Sequence, residues 1–146
     1  MQGEIVELAR KWIGTPYRHQ SSLQGAGADC LGLVRGVWRS LHGQEPETVP
    51  DYTSDWSEAA REERLWEAAR RLLVGCPVEA PPKPGDVILF RIRASGVAKH
   101  LGIAAERGGQ PTFIHAYERH GVVESPLSRP WVRRIVSCFE FPQGVE

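Results

Sequence analysis

The chain has 146 residues, with 18 Lys+Arg against 18 Asp+Glu and a formal net charge of zero. That length fits one domain over residues 1–146, with a core that needs no disulfide or metal staple. Balanced charge excludes a bulk electrostatic drive toward nucleic acid or anionic lipid, and no apolar run is long enough to span a membrane. The segment Met1-Gln2-Gly3-Glu4-Ile5 has no cationic stretch leading into an apolar one, so synthesis in the cytoplasm without a signal peptide is expected. Cys30, Cys76 and Cys138 form an odd set without CxxC spacing, which suits a reducing site of synthesis and leaves at least one free thiol.

In chain order, Ile5, Leu8, Ala9, Trp12 and Ile13 recur at helical spacing, and Gly14 and Pro16 end that helix. A loop over 15–28 leads to a second helix starting at Asp29, with Val34, Val37, Trp38 and Leu41 on one face and Gly43 as its stop. Residues 44–57, with Pro46, Pro50 and Tyr52, read as an extended surface excursion in which Tyr52 and Trp56 either line a groove or cover the core. Leu65, Trp66, Ala69, Leu72 and Leu73 predict a third helix over about 58–74, and Pro77, Pro81, Pro82 and Pro84 a stiff connector. Strands are predicted at Asp86–Ile92, His100–Ala105, Thr112–Tyr117, Gly121–Ser125 and Trp131–Phe141. Helices followed by strands argue for an α+β fold, with helices packed on one antiparallel sheet.

The segment Gly27-Ala28-Asp29-Cys30-Leu31-Gly32-Leu33-Val34 carries the most chemistry. Asp29 is a good N-cap, which puts Cys30 in the first turn of the helix, where unpaired amides and the helix dipole favour a thiolate. Cys30 also falls within the apolar stripe, so it faces the protein body as either a small buried hydrophobe or a nucleophile. The adjacent Asp29 opposes thiolate formation, so activation requires a base from elsewhere.

Two histidines meet that need. In Lys99–Ala104, His100 shares a strand face with Gly102 and Ala104, and in Phe113–Tyr117, His115 shares one with Phe113 and Tyr117. The two strands join through Glu106–Gln110, which contains Gly108-Gly109. A two- or four-residue turn there pairs residues whose numbers sum to an odd value and places both imidazoles on one face, opposite or one pair displaced. A three-residue loop without a bulge breaks that parity. The small neighbours of His100 leave room for a helix end to approach. His100 is then the base for Cys30, and His115 orients it as the third member of a triad. A pairing of Cys30 with His100 at the helix start is expected to lower the thiol pKa into the ~3.5–7.5 range. A metal site made of Cys30, His100 and His115 lacks a fourth ligand, so no metal or cofactor is expected.

The blocks Gly14-Thr15-Pro16-Tyr17, Asp29-Cys30-x-Gly-Leu-Val, Pro84-Gly85-Asp86-Val87, His100-x-Gly-Ile and Phe113-Ile114-His115-Ala116 occur in that order. Together they resemble the NlpC/p-sixty cell-wall cysteine peptidases. The resemblance implies a papain-like fold and hydrolysis of stem-peptide amide bonds in bacterial peptidoglycan, typically between D-γ-glutamate and a diamino acid. It carries the nucleophile to Cys30, the base to His100, the third polar residue to His115, and substrate-side places to Tyr17 and Asp29. Arg18 and His19, beside Tyr17, are candidates for meeting an acidic stem peptide. Leu31 departs from the serine that usually follows the nucleophile, which bears on recognition of a free stem-peptide N-terminus. The stretches Tyr17–Gln20 and Cys30–Trp38 look most like the subgroup carried by phages and gene-transfer-agent particles, whose components would be partners and would deliver the enzyme to the wall. Two other readings stay open: a binding or virion-assembly module with little turnover, and a thiol acyltransferase or amidase on the same scaffold. Cys76 and Cys138 have no base pattern nearby and are read as structural.

Overall fold

The computed structural model describes residues 2–53, 56, 62–77 and 80–143. Helix α1, Gln2–Arg10, buries Ile5, Val6 and Ala9, and Trp12 follows it into the core. Two short strands, β1 (Ser22–Leu23) and β2 (Gly27–Ala28), pair antiparallel within the loop expected at 15–28. Helix α2 spans Cys30–His42. Asp29 caps it by accepting the Gly32 N–H at 2.7 Å, and Gly43, at φ 84°, lets its own N–H turn back to the Arg39 carbonyl. Both ends lie where the residue types predicted.

The third helix is shorter than expected: α3 is Arg64–Leu72, residues 62–63 are not helical, and 58–61 lie outside the described residues. Strand β3, Val74–Gly75, follows at once and heads the proline-rich connector. Then come β4 (Val87–Arg91), β5 (Ala98–Arg107), β6 (Gln110–Tyr117), β7 (Gly121–Pro126), the short helix α4 (Arg129–Val132) and β8 (Ile135–Glu140). The last strand was expected from Trp131. Instead Pro130 sits in the first turn of α4, where its fixed φ and missing N–H are tolerated, and the strand begins only at Ile135.

The large sheet runs β3-β8-β4-β5-β6-β7, antiparallel throughout. This is a mixed α/β architecture with a six-stranded antiparallel sheet, consistent with a papain-like fold. On one face Leu33 and Val37 of α2 pack with Val87, Leu89, Leu101, Ile103 and Ile114. On the other, Ile88, Phe90, Ala104, Phe113 and Cys138 form a smaller cluster closed by Leu127, Trp131 and Ile135. No helix of the described residues is long and apolar enough to cross a membrane.

One polar hub ties the end of α1 to the far edge of the sheet. Glu124 of β7 accepts Nε and Nη2 of Arg10, both at 3.0 Å, Nη2 of Arg107 at 2.8 Å and the Thr112 hydroxyl at 2.7 Å. Burial alone would raise this carboxyl, but the bonds from Arg10, Arg107 and Thr112 outweigh it and hold the pKa at about 2.

Candidate active site

The β5–β6 hairpin turns through Gly108-Gly109, pairing Arg107 with Gln110 and Ile103 with Ile114. That odd-sum register carries both imidazoles to the same face, displaced by one pair. His100 Nε2 lies 2.8 Å from His115 Nδ1, and His115 Nε2 lies 2.9 Å from the Ser125 hydroxyl on β7. His115 has no exposed surface and His100 has 7%. The Trp131 ring of α4 covers both, its centroid 5.7 Å from that of His100 and 5.4 Å from that of His115. Burial pushes His100 down to about 4; burial and then the neighbouring His100 push His115 lower still, so both rings are neutral at pH 7.

Helix α2 does not reach His100 across the small side chains of Gly102 and Ala104, as the strand pattern suggested. A Cβ placed on Gly102 would meet Phe113 Cδ2 at 2.8 Å, so the aromatic cluster already occupies that space. Helix α2 lies on the opposite face, and its N-terminus meets β5 along the backbone. Cys30 Sγ sits 3.9 Å from the Lys99 carbonyl oxygen and receives the Leu101 N–H. Cys30 and His100 both line a cavity of about 480 Å³.

The thiol also departs from expectation. Burial is the main cause and Asp29 the next, and together they push Cys30 up to about 12, against the pull of backbone N–H groups of Leu101, Leu31 and Cys30 itself. The helix-start argument weighed the amides and the dipole, but a cysteine 7% exposed also loses the solvation of its charge. The resting site therefore holds a neutral thiol and neutral imidazoles.

Asp29, 2% exposed, is committed on all sides. Besides the Gly32 N–H it accepts the Gln20 N–H at 2.7 Å and the Tyr52 hydroxyl, and His19 Nδ1 lies 3.9 Å away. His19 Nε2 and the Gln20 side-chain amide both reach the Tyr52 carbonyl, at 2.9 and 2.7 Å. The excursion is thereby fastened to the start of α2, and Tyr52 stacks on Trp56 with centroids 4.2 Å apart as a wall of the cavity. Gly32 permits this arrangement, because a Cβ there would fall 1.9 Å from the Ser21 carbonyl oxygen.

Of the residues expected at the site, Tyr17, His19, Asp29, Cys30 and His100 line the cavity together. His115 stands behind His100. Arg18 does not join them: it is exposed, with its aliphatic stem against Gly27. The sequence reading missed Trp131 and Ser125. Pro130 after Ser128 was the signal for a helix start under Trp131, and extending the strand alternation to β7 would have put Ser125 on the face of His115.

The chain is 28% identical over 135 residues to murein DD-endopeptidase/murein LD-carboxypeptidase MepS of Escherichia coli, covering 92% of this chain and 60% of that protein. It is 30% identical over 130 residues to the gamma-DL-glutamyl hydrolase of Bacillus subtilis, covering 87% of this chain and 26% of that one. Among solved structures, an NlpC/P60 family protein from Bacillus cereus superposes with a TM-score of 0.65 at 20% identity, over 97% of this chain and 40% of that one. The chain thus spans less than two thirds of the length of each of these relatives. The NlpC/P60 family pattern itself matches residues 14–139, from the Gly14 turn through the last strand, and the chain belongs to the NlpC/P60 family.

Proposed function

We propose that this protein is a cysteine endopeptidase of bacterial peptidoglycan that cleaves stem-peptide amide bonds, with D-γ-glutamyl–diamino acid linkages as the preferred class. The observation that carries the reading is the shared cavity: a thiol at a helix start and an imidazole tethered at 2.8 Å to a second imidazole open onto the same space. Relatives named as murein endopeptidase and gamma-DL-glutamyl hydrolase supply the substrate class.

In this mechanism the His100 nitrogen not bonded to His115, Nδ1, takes the Cys30 thiol proton as Sγ adds to the amide carbonyl. Backbone N–H groups at the start of α2 receive the developing oxyanion. The same proton passes from His100 to the departing amine, leaving a thioester. Water, deprotonated by His100, then releases the acid and restores the thiol. His115 keeps the His100 ring in place. Tyr17 and His19 face the substrate beside Cys30, whereas Asp29 holds the helix start and the cavity wall. Leu31 packs against the core where the resemblance expects serine, so a pocket for a free stem-peptide N-terminus is not part of the proposal. Delivery by a phage or gene-transfer-agent particle rests on the Tyr17–Gln20 and Cys30–Trp38 stretches alone.

Mass spectrometry of defined muropeptides incubated with the protein and with Cys30→Ala tests the reading. A Cys30-dependent cleavage product is the expected result, and its mass names the bond. An intact substrate set with both proteins overturns the peptidase reading.

A further inference from the structure

The hydrogen-bond chain does not stop at the second histidine. His115 Nε2 lies 2.9 Å from Ser125 Oγ on the neighbouring strand, and that bond bears on which proton arrangement the two rings adopt. His100 Nε2 and His115 Nδ1, 2.8 Å apart, share one proton, since two N–H groups would collide and two bare nitrogens would repel. Only two neutral arrangements satisfy this. In the first, His100 carries its proton on Nε2 and donates to His115 Nδ1. His100 Nδ1 is then bare, and the proton of His115 sits on Nε2, where it needs an acceptor. In the second, His115 donates from Nδ1 and its bare Nε2 takes the Ser125 hydroxyl hydrogen, while His100 carries its proton on Nδ1 and has no lone pair to offer a thiol.

We infer that Ser125 is a positioning residue: its hydroxyl oxygen accepts the His115 Nε2–H in the arrangement that leaves His100 Nδ1 free as a base, the arrangement the pair must also keep once His100 is charged. This rests on the proposed peptidase reading and deepens it. The need is strictest once His100 has taken the thiol proton. Its Nε2–H must then point at His115 Nδ1, the His115 proton can only be on Nε2, and Ser125 is the acceptor within reach. His115 has no exposed surface, so solvent does not stand in for the hydroxyl, and an unaccepted N–H there would be a buried orphan. The placement follows from register. Thr112 to Tyr117 pair with Pro126 to Gly121, so Ser125 opposes Phe113 and lies diagonal to His115 on the same face.

The test is the ring-nitrogen NMR spectrum of the ¹⁵N-histidine-labelled protein near pH 7, recorded for wild type, Ser125→Ala and Ser125→Thr, beside their kinetics on muropeptides. The wild-type spectrum should show both His100 and His115 protonated at Nε2. Ser125→Ala should shift the pair toward the Nδ1-protonated forms and lower kcat about threefold to tenfold at unchanged KM, the range that one neutral hydrogen bond supplies. Ser125→Thr, which keeps the hydroxyl, should restore both. A wild-type His115 protonated at Nδ1, an unchanged ring pattern in Ser125→Ala, or a threonine variant that behaves like alanine each overturns the inference. The spectra need no substrate. A wild type that cleaves nothing would sink the peptidase reading, while the tautomers still decide the role of Ser125.

Discussion

Tyr52 donates its hydroxyl hydrogen to the carboxylate of Asp29, the residue immediately before Cys30, although the two lie 23 positions apart in the chain. This bond joins the surface excursion to the cap of α2. Burial and the adjacent Asp29 raise the Tyr52 phenol, so the hydroxyl stays a donor across the working pH range. Tyr52→Phe removes one of three donors to Asp29 and leaves the other two in place. The expected loss is about 1–2 kcal/mol of stability in urea titration, together with a lower kcat as the cavity wall loosens. Unchanged values for both would show that the bond does not hold the wall.

The pH dependence of turnover should follow the buried imidazoles. A base works only when neutral, and burial pushes His100 down to about 4. As pH rises, kcat/KM should therefore climb through a region near pH 4, well below the ordinary histidine value. Because the Cys30 thiol is pushed up to about 12, no thiolate–imidazolium pair is expected at rest. Absorbance near 240 nm should show no Cys30-dependent thiolate at pH 7, and such a band, lost in Cys30→Ala, would overturn this account.

Trp131 supplies part of that burial. Trp131→Ala opens the outer face over His100 and His115 to water, which weakens the penalty on their charged forms. The acid limb of kcat/KM should move upward toward 6.5. An unmoved limb would place the desolvation elsewhere, on Phe90 and Phe113.

Glu124 makes the fold acid-sensitive. Its folded pKa of about 2 lies below the ordinary value of 4.5, so its contribution is present above the higher figure and is lost as pH falls toward the lower. The ceiling is about 3 kcal/mol, and the exposure of Arg107 reduces the expected share to about 1–2 kcal/mol. Glu124→Gln should flatten the stability curve between those pH values in denaturant titrations. A curve as steep as wild type would assign the acid sensitivity to other groups.

Gly32→Ala places a methyl group against the Ser21 carbonyl oxygen, backbone that cannot move without shifting the loop that donates to Asp29. A loss of about 1–3 kcal/mol and a displaced Cys30 are expected, read as a lower denaturation midpoint and a fall in kcat. Wild-type stability would mean the loop yields freely.

The parts of this arrangement that rest on local chemistry were legible in the sequence. Asp29 and Gly43 bracket α2 because a carboxylate caps a helix start and a glycine tolerates positive φ. Gly108-Gly109 marked the hairpin between His100 and His115, and an even turn length, which the structure has, puts both on one face. What escaped depends on partners far away in the chain. Strand β3 has two residues, too few for any period, and exists because β8 pairs with it. Trp131 looked like strand because its helix is one turn long, and the space beside Gly102 is taken by Phe113, a residue 11 positions on, and not by α2. The thiol pKa was misjudged for the same reason: dipole and amides can be read from neighbours in sequence, but burial cannot.

The distance along the chain between the two halves of the site has a consequence for synthesis. Cys30 meets the backbone of Lys99, 69 residues later, and His115 finds its hydroxyl partner only when β7 has been made. A ribosome-bound chain that ends before β7 carries the cysteine without a completed proton path. On the proposed reading, the nascent protein gains its full proton path only as its sheet closes.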